Sequence, residues 1–219
     1  MARIKAEYPG RKEQHTGMIK NIIFDMGHVL MWFDREFYME RHAKDLSDEE
    51  KKLLMHEVYL SYEWICHDRG TVTTEQMVEI FKNRLPEKLR PTAEALATHW
   101  DEDILPVEGM ADLVKEMKER GYHIYLLSNA GDDHPHYWHK VPGSEYFDDI
   151  CVSCFEGYIK PQPELYERAI KKFGIEPEET VYIDDVPANV EASINAGMHG
   201  IVFHGDMEEL RSKLEAVIG

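Results

Sequence analysis

The chain has 219 residues, 43% hydrophobic and 31% charged. That is enough to bury one sizeable core, and it excludes bulk disorder and a disulfide-stapled miniprotein. Its 25 basic and 42 acidic residues give a net charge of −17, so most of its surface should repel nucleic acid and anionic membranes. An anionic substrate therefore needs a locally positive pocket or a metal ion.

In chain order, residues 1–17 come first. They are polar, lack the apolar stretch of a secretory signal, and read as an N-terminal extension. Ile22–Phe24 is a brief apolar run stopped by Asp25, which predicts a buried strand, and Gly27 then permits a turn. Helical patterns follow at Arg35–Ala43, Asp48–Ile65, Thr74–Phe81 and Thr92–His99, with Ser47, Thr73 and Thr92 as candidate caps. Val107–Arg120 predicts a helix stopped by Gly121. Short apolar runs recur at Ile124–Leu127, Ile150–Val152, Val181–Ile183 and Ile201–Phe203. Helical patterns at Glu164–Phe173, Ala188–Ala196 and Glu208–Val217 separate or follow the later ones.

Strands alternating with helices predict an α/β fold, a Rossmann-like parallel sheet covered on both faces. About 98 residues separate Asp25 from Ile124, far more than one crossover needs. The excess reads as an inserted all-helical cap, residues 34–100, with the core formed by 18–33 and 101–219. No apolar run reaches the roughly 20 residues of a membrane span. Cys66, Cys151 and Cys154 cannot all pair in one chain, so reduced thiols and a cytoplasmic location are the simplest expectation. The CxxC spacing of Cys151 and Cys154 has no second pair to complete a metal site.

Ligands of open parallel sheets bind beyond the carboxyl ends of the strands. There the sequence places Asp25, Ser128-Asn129, the Asp184-Asp185 pair and, in a loop, Lys160. Each has a plainer reading. Asp25 could cap a turn, Ser128 could cap a turn or helix, and Lys160 could be solvated. Two adjacent carboxylates at the end of an apolar strand are harder to explain without a cation nearby. The histidine-rich run Asp132–His139 lacks defined ligand spacing and reads as a helix start packed by Tyr137 and Trp138. Trp32 and Phe33 either line a pocket or close the hinge to the cap. Tyr59, Tyr62 and Trp64 read mostly as core, with Trp64 and His67 the candidates to face an opening.

Four motifs carry a family resemblance: FDMGHVL at Phe24–Leu30, LLSNAG at Leu126–Gly131, GYIKPQPELY at Gly157–Tyr166 and YIDDVPANVEASINAG at Tyr182–Gly197. With the cap stretch HDRGTVTTEQ, they resemble the haloacid dehalogenase superfamily of hydrolases, in its branch with a small helical cap. The closest likeness is to bacterial sugar-phosphate phosphatases with an FDxGxV motif. The resemblance implies Asp25 as nucleophile toward phosphorus, forming an aspartyl-phosphate. It implies Mg²⁺ held by Asp25, the carbonyl of Gly27, Asp185 and its neighbour Asp184. It also implies that Ser128, Asn129 and Lys160 bind the phosphate of a small phosphorylated metabolite, with a sugar phosphate as one class. Nucleic acid and membranes are not expected partners, and monomer or homodimer is left open.

Two positions depart from the family pattern. Gly27 stands where a second aspartate usually moves the leaving group's proton, which leaves His28 and Asp34 as candidates for proton transfer. Asn189 stands where many relatives have aspartate, keeping an acceptor oxygen and losing a charge. These departures keep two alternatives open: a non-catalytic binding or regulatory protein on the same scaffold, and a metal-independent haloacid dehalogenase.

Overall fold

A computed structural model describes residues 18–219, so the proposed extension at 1–17 lies outside the described residues. Five parallel strands form the central sheet: β1 (Asn21–Phe24), β4 (His123–Ser128), β5 (Asp149–Val152), β6 (Thr180–Asp184) and β7 (His199–Val202), in the order β5-β4-β1-β6-β7. Every strand matches an apolar run of the sequence. The last one stops at Val202, one residue short of the expected Phe203. β1 shows why these runs are apolar without alternation. Ile22, Ile23 and Phe24 are all fully buried, but Ile22 and Phe24 pack into one core and Ile23 into the other. Helices cover both faces, so both sides of the pleat must be apolar. A two-residue ribbon, β2 (Met31–Trp32) with β3 (Leu105–Pro106), ties the two ends of the insertion together.

The cap contains α1 (Arg35–Ala43), α2 (Asp48–Leu54), α3 (Tyr62–Asp68), α4 (Thr74–Arg84) and α5 (Arg90–Thr98). Ser47 and Thr73 form full capping boxes with Glu50 and Gln76, as their sequence positions suggest. Thr92 is not a cap. Helix α5 begins at Arg90 with Pro91 in its first turn, so Thr92 is already inside it. The single helix expected over Asp48–Ile65 is broken. Met55–Tyr59 widen into a π-helical turn closed by the Leu60 N–H to the Met55 carbonyl, 3.1 Å. Leu60 leaves helical geometry, and the Ser61 hydroxyl caps the next helix by accepting from the Trp64 N–H. The break aims Tyr59 and Trp64 at one cavity.

Core helices α6 (Met110–Glu119), α9 (Pro163–Phe173), α10 (Pro187–Asn195) and α11 (Met207–Ile218) pack on the sheet. Two single turns, α7 (His134–Tyr137) and α8 (Ser153–Glu156), lie beyond the carboxyl ends of β4 and β5. The histidine-rich run does start a helix on buried Tyr137. His134 is buried and stacks on Trp138 while His136 and His139 are exposed, so the three do not form one site. No helix among the described residues is long and apolar enough to cross a membrane.

Candidate active site

The carboxyl ends of β1, β4 and β6 open into a cavity of about 510 Å³, roofed by the cap. On its floor, Lys160 Nζ lies 2.7 Å from Asp25 Oδ1 and 2.8 Å from Asp184 Oδ2, and also donates to the Leu127 carbonyl at 3.2 Å. All three charged side chains are buried. Burial works against the ammonium, but the charges of Asp25 and Asp184 outweigh it and hold Lys160 above its ordinary range. Burial also pushes Asp184 up, and here the Lys160 charge prevails and keeps its carboxyl ionised.

Asp25 is different. Burial pushes its carboxyl up to about 7, with Lys160 pulling down and the Asp184 charge pushing up. One lysine thus serves two carboxylates. Asp185, half-buried on the cavity wall, adds a third, itself raised by burial and then by the charge of Asp184. Asp25, Asp184 and Asp185 each offer an oxygen within 4.8 Å of the others. Three clustered carboxylates against one ammonium leave an excess of negative charge that suits a small divalent cation.

The two members of the acidic pair differ in availability. Asp184 is saturated: it accepts from Lys160, the Tyr182 hydroxyl, the Val186 N–H at 2.8 Å and the Asn189 amide at 3.1 Å to each oxygen. Asn189 therefore acts through its N–H donors, not through the acceptor oxygen noted in the sequence. The amide fixes Asp184, which fixes Lys160. Asp25 Oδ1 takes the Lys160 ammonium and the Met26 N–H, and no hydrogen bond among the described residues reaches Oδ2.

The remaining sequence candidates divide. Asn129 lines the cavity, but its side chain is tied to the lysine loop: Oδ1 accepts from the Lys160 N–H at 2.8 Å and Nδ2 donates to the Lys160 carbonyl at 3.3 Å. Ser128 is buried, is absent from the cavity wall, and turns its hydroxyl to the Asn129 carbonyl at 3.4 Å. Gly27 is on the wall, and a Cβ added there would meet nothing within 4 Å. His28 has φ +56° and sits at the rim, edge-on to the Trp32 ring. Asp34 caps α1, accepting from the Glu36 and Phe37 N–H groups at 3.0 Å each. It does not line this cavity, and its Oδ1 is committed to the helix end.

One carboxyl on the wall escaped sequence reasoning. Asp68, the last residue of α3, reaches the cavity from the cap. Burial pushes it up to about 7, the charge of Asp133 adds to this, and the fields of Lys160 and Arg35 oppose it. The signal for it was present: a polar His-Asp-Arg-Gly sequence ending an aromatic helix. Its neighbour His67 joins cap to core, with Nε2 2.9 Å from the Thr74 hydroxyl and 3.0 Å from Asp132. Asp132 also accepts from the Thr74 N–H, at the start of α4. Two glycines permit this closeness. A Cβ on Gly131 would lie 1.8 Å from the His67 ring, and one on Gly70 would lie 2.0 Å from the Cys154 carbonyl.

Cys151 and Cys154 are free thiols, both pushed up to about 12, chiefly by burial, which leaves them unreactive at neutral pH.

Comparison with known proteins agrees with this geometry. A family model of haloacid dehalogenase-like hydrolases matches residues 19–197. The sesquiterpene phosphatase astK of Aspergillus oryzae is 29% identical over 83% of this chain and 88% of its own length. The D-ribitol-5-phosphate phosphatase of Bacteroides thetaiotaomicron is 26% identical over 82% of this chain and 89% of its own. Another curated relative is far longer, and the chain spans 15% of its length. Among solved structures, the Bacteroides thetaiotaomicron enzyme bt-2542 is similar with a TM-score of 0.69 and 25% identity, covering 89% of this chain and 98% of that one. The chain belongs to the haloacid dehalogenase-like hydrolases.

Proposed function

We propose that the protein is an Mg²⁺-dependent phosphomonoesterase with Asp25 as nucleophile. The observation that carries this is the shared ammonium: Lys160 holds Asp25 Oδ1 and Asp184 at once, leaving Asp25 Oδ2 without a hydrogen bond among the described residues on the cavity floor. Asp25, Asp185 and the Gly27 carbonyl would hold Mg²⁺, with Asp184 behind them as the anchor of Lys160. The ion supplies positive charge to the phosphoryl oxygens and lowers the proton affinity of Asp25. Asp25 attacks phosphorus, the P–O ester bond breaks and an aspartyl-phosphate forms. Lys160 and the Asn129 N–H stabilise the phosphoryl oxygens. Ser128 joins them only by rotating its hydroxyl away from the Asn129 carbonyl. Water then hydrolyses the acyl phosphate.

The alcohol must leave with a proton, and Gly27 cannot give one. Asp68 is the carboxyl suited to the task. It lines the cavity from the cap, and with its carboxyl pushed up to about 7 both its protonated and ionised forms are populated at neutral pH, so it can protonate the leaving oxygen and then take a proton from water. His28 is at the rim and Asp34 is outside the cavity. The names of two relatives point to different alcohols, a sesquiterpenoid and a sugar-derived polyol.

The test is phosphate release from a phosphomonoester panel with Mg²⁺ or with EDTA. Release that requires Mg²⁺ and disappears in Asp25→Asn is expected. Turnover surviving in Asp25→Asn would defeat the mechanism. Halide release from haloacids without metal would restore the dehalogenase alternative.

A further inference from the structure

The cavity floor is charged, and apart from Arg35 and Asp68 its cap-side wall is largely aromatic and aliphatic. Phe33, Tyr59, Trp64 and Trp100 form one aromatic cluster there, with centroids 5.3 Å apart for Phe33–Trp100, 5.4 Å for Tyr59–Trp64 and 5.8 Å for Phe33–Trp64. Leu60 and Ile65 continue the wall to the mouth, where they are 60% and 44% exposed. Neighbouring exposed apolar side chains at the entrance of a cavity, continuous with an aromatic wall, are the mark of a ligand-binding groove.

Several polar groups among these side chains are already engaged, whereas the Arg35 guanidinium, the Tyr137 hydroxyl and the Trp64 and Trp100 indole N–H groups have no hydrogen bond among the described residues. The Tyr59 hydroxyl donates to the Leu96 carbonyl at 3.2 Å. The Ser61 hydroxyl donates to the Val58 carbonyl at 2.8 Å and accepts from the Trp64 N–H. His67 is held by Thr74 and Asp132. Asp68 and Asp133 line the cavity within the field of each other, and Asp68 also feels the charges of Lys160 and Asp25 on the floor. A polyol seated against the ring faces of the Phe33–Tyr59–Trp64–Trp100 cluster would offer more hydroxyls than these few donors can pair, which is unfavourable. An apolar chain would meet a complementary surface.

We infer that the esterified alcohol is hydrophobic: the substrate class is the monophosphate of an alcohol with an extended apolar body, seated between the Phe33–Tyr59–Trp64–Trp100 cluster and the Leu60–Ile65 lip. The inference rests on the phosphatase reading for the phosphate end alone.

Binding of n-alkyl phosphonates of two, six and ten carbons, which cannot be hydrolysed, separates the two. Titration calorimetry with Mg²⁺ should show affinity rising about three- to fourfold per methylene over the shorter members. Ribitol 5-phosphate should bind no better than the two-carbon phosphonate. Ile65→Gln, on the exposed lip, should reduce the gain for the ten-carbon member, and Trp64→Ala should reduce it from six carbons onward. Affinity independent of chain length, or tighter binding of the polyol ester, overturns the inference even if phosphate is released from every ester. A steep chain-length dependence without phosphate release from any ester upholds the pocket and overturns the phosphatase reading.

Discussion

Lys160 Nζ lies 2.8 Å from Asp184 Oδ2, and neither group is open to solvent. The same ammonium holds Asp25, so the proposed nucleophile and its anchor share one counter-charge. Lys160→Met should leave both carboxylates buried without it. Removing one partner of a buried ion pair costs about 3–5 kcal/mol. Phosphate release should fall by about 10²–10³-fold or more. Thermal melts and phosphate release check both, and an active, fully stable variant would show that the ammonium is dispensable.

Asn189→Asp replaces the amide that donates to both oxygens of Asp184 with a like charge. The expected result is weaker placement of Lys160 and a stability loss of about 1–3 kcal/mol at neutral pH, smaller with saturating Mg²⁺. Denaturant titration with and without the ion measures the difference.

Asp68→Asn tests proton delivery. Activity on an alkyl ester should drop about 10²–10⁴-fold. An aryl ester such as p-nitrophenyl phosphate, whose alcohol leaves unaided, should lose much less. Activity of the unaltered protein on the alkyl ester should fall as pH rises through about 7, where Asp68 ionises. Equal losses on both esters would show a structural role only. Gly27→Asp in the Asp68→Asn background should recover part of the alkyl activity, because the space at Gly27 is open.

The same carboxyl sets a stability trend. Folding raises Asp68 from 3.8 to about 7, so the native state holds a proton that the unfolded chain has released. The stabilisation is complete below about pH 4 and is lost as pH rises through 7. Asp68→Asn should therefore be more stable than the unaltered protein at pH 8 relative to pH 4. Melting curves at the two pH values give the sign.

Asp132→Ala removes the acceptor of the Thr74 N–H and of His67. Loss of a helix-end acceptor costs about 1 kcal/mol. The cap should also be cleaved faster in limited proteolysis, with KM raised more than kcat is lowered. Unchanged cleavage would show that other contacts hold the cap.

Much of this was legible beforehand because strand ends are conspicuous. Asp25 and Asp184 each follow a short apolar run, and a parallel sheet leaves its strand ends on one edge. Lys160 was legible as a residue but not as a bridge, since the shared ammonium depends on a loop held by Asn129 across 31 positions. Asn189 was misread because composition shows that an amide has both donors and an acceptor but not which is used. The break at Leu60 was missed because Met55–Tyr59 keeps a helical pattern while adding a residue to the turn. Asp68 was hidden because its partners, Lys160 and Asp133, come from the core and are distant in sequence.

Gly131 and Gly70 give the boundary between cap and core a reciprocal shape. A ring of the cap fills the space where the core lacks a side chain, and a carbonyl of the core fills the space where the cap lacks one. At this joint the His67 ring lies directly over Gly131 and the Cys154 carbonyl directly over Gly70, so neither glycine has room for a side chain. The height of Asp68 above Asp25 is then set by the absence of two methyl groups. An alanine at either position would act as a spacer, withdrawing the proposed proton source from the reaction without touching any reacting group.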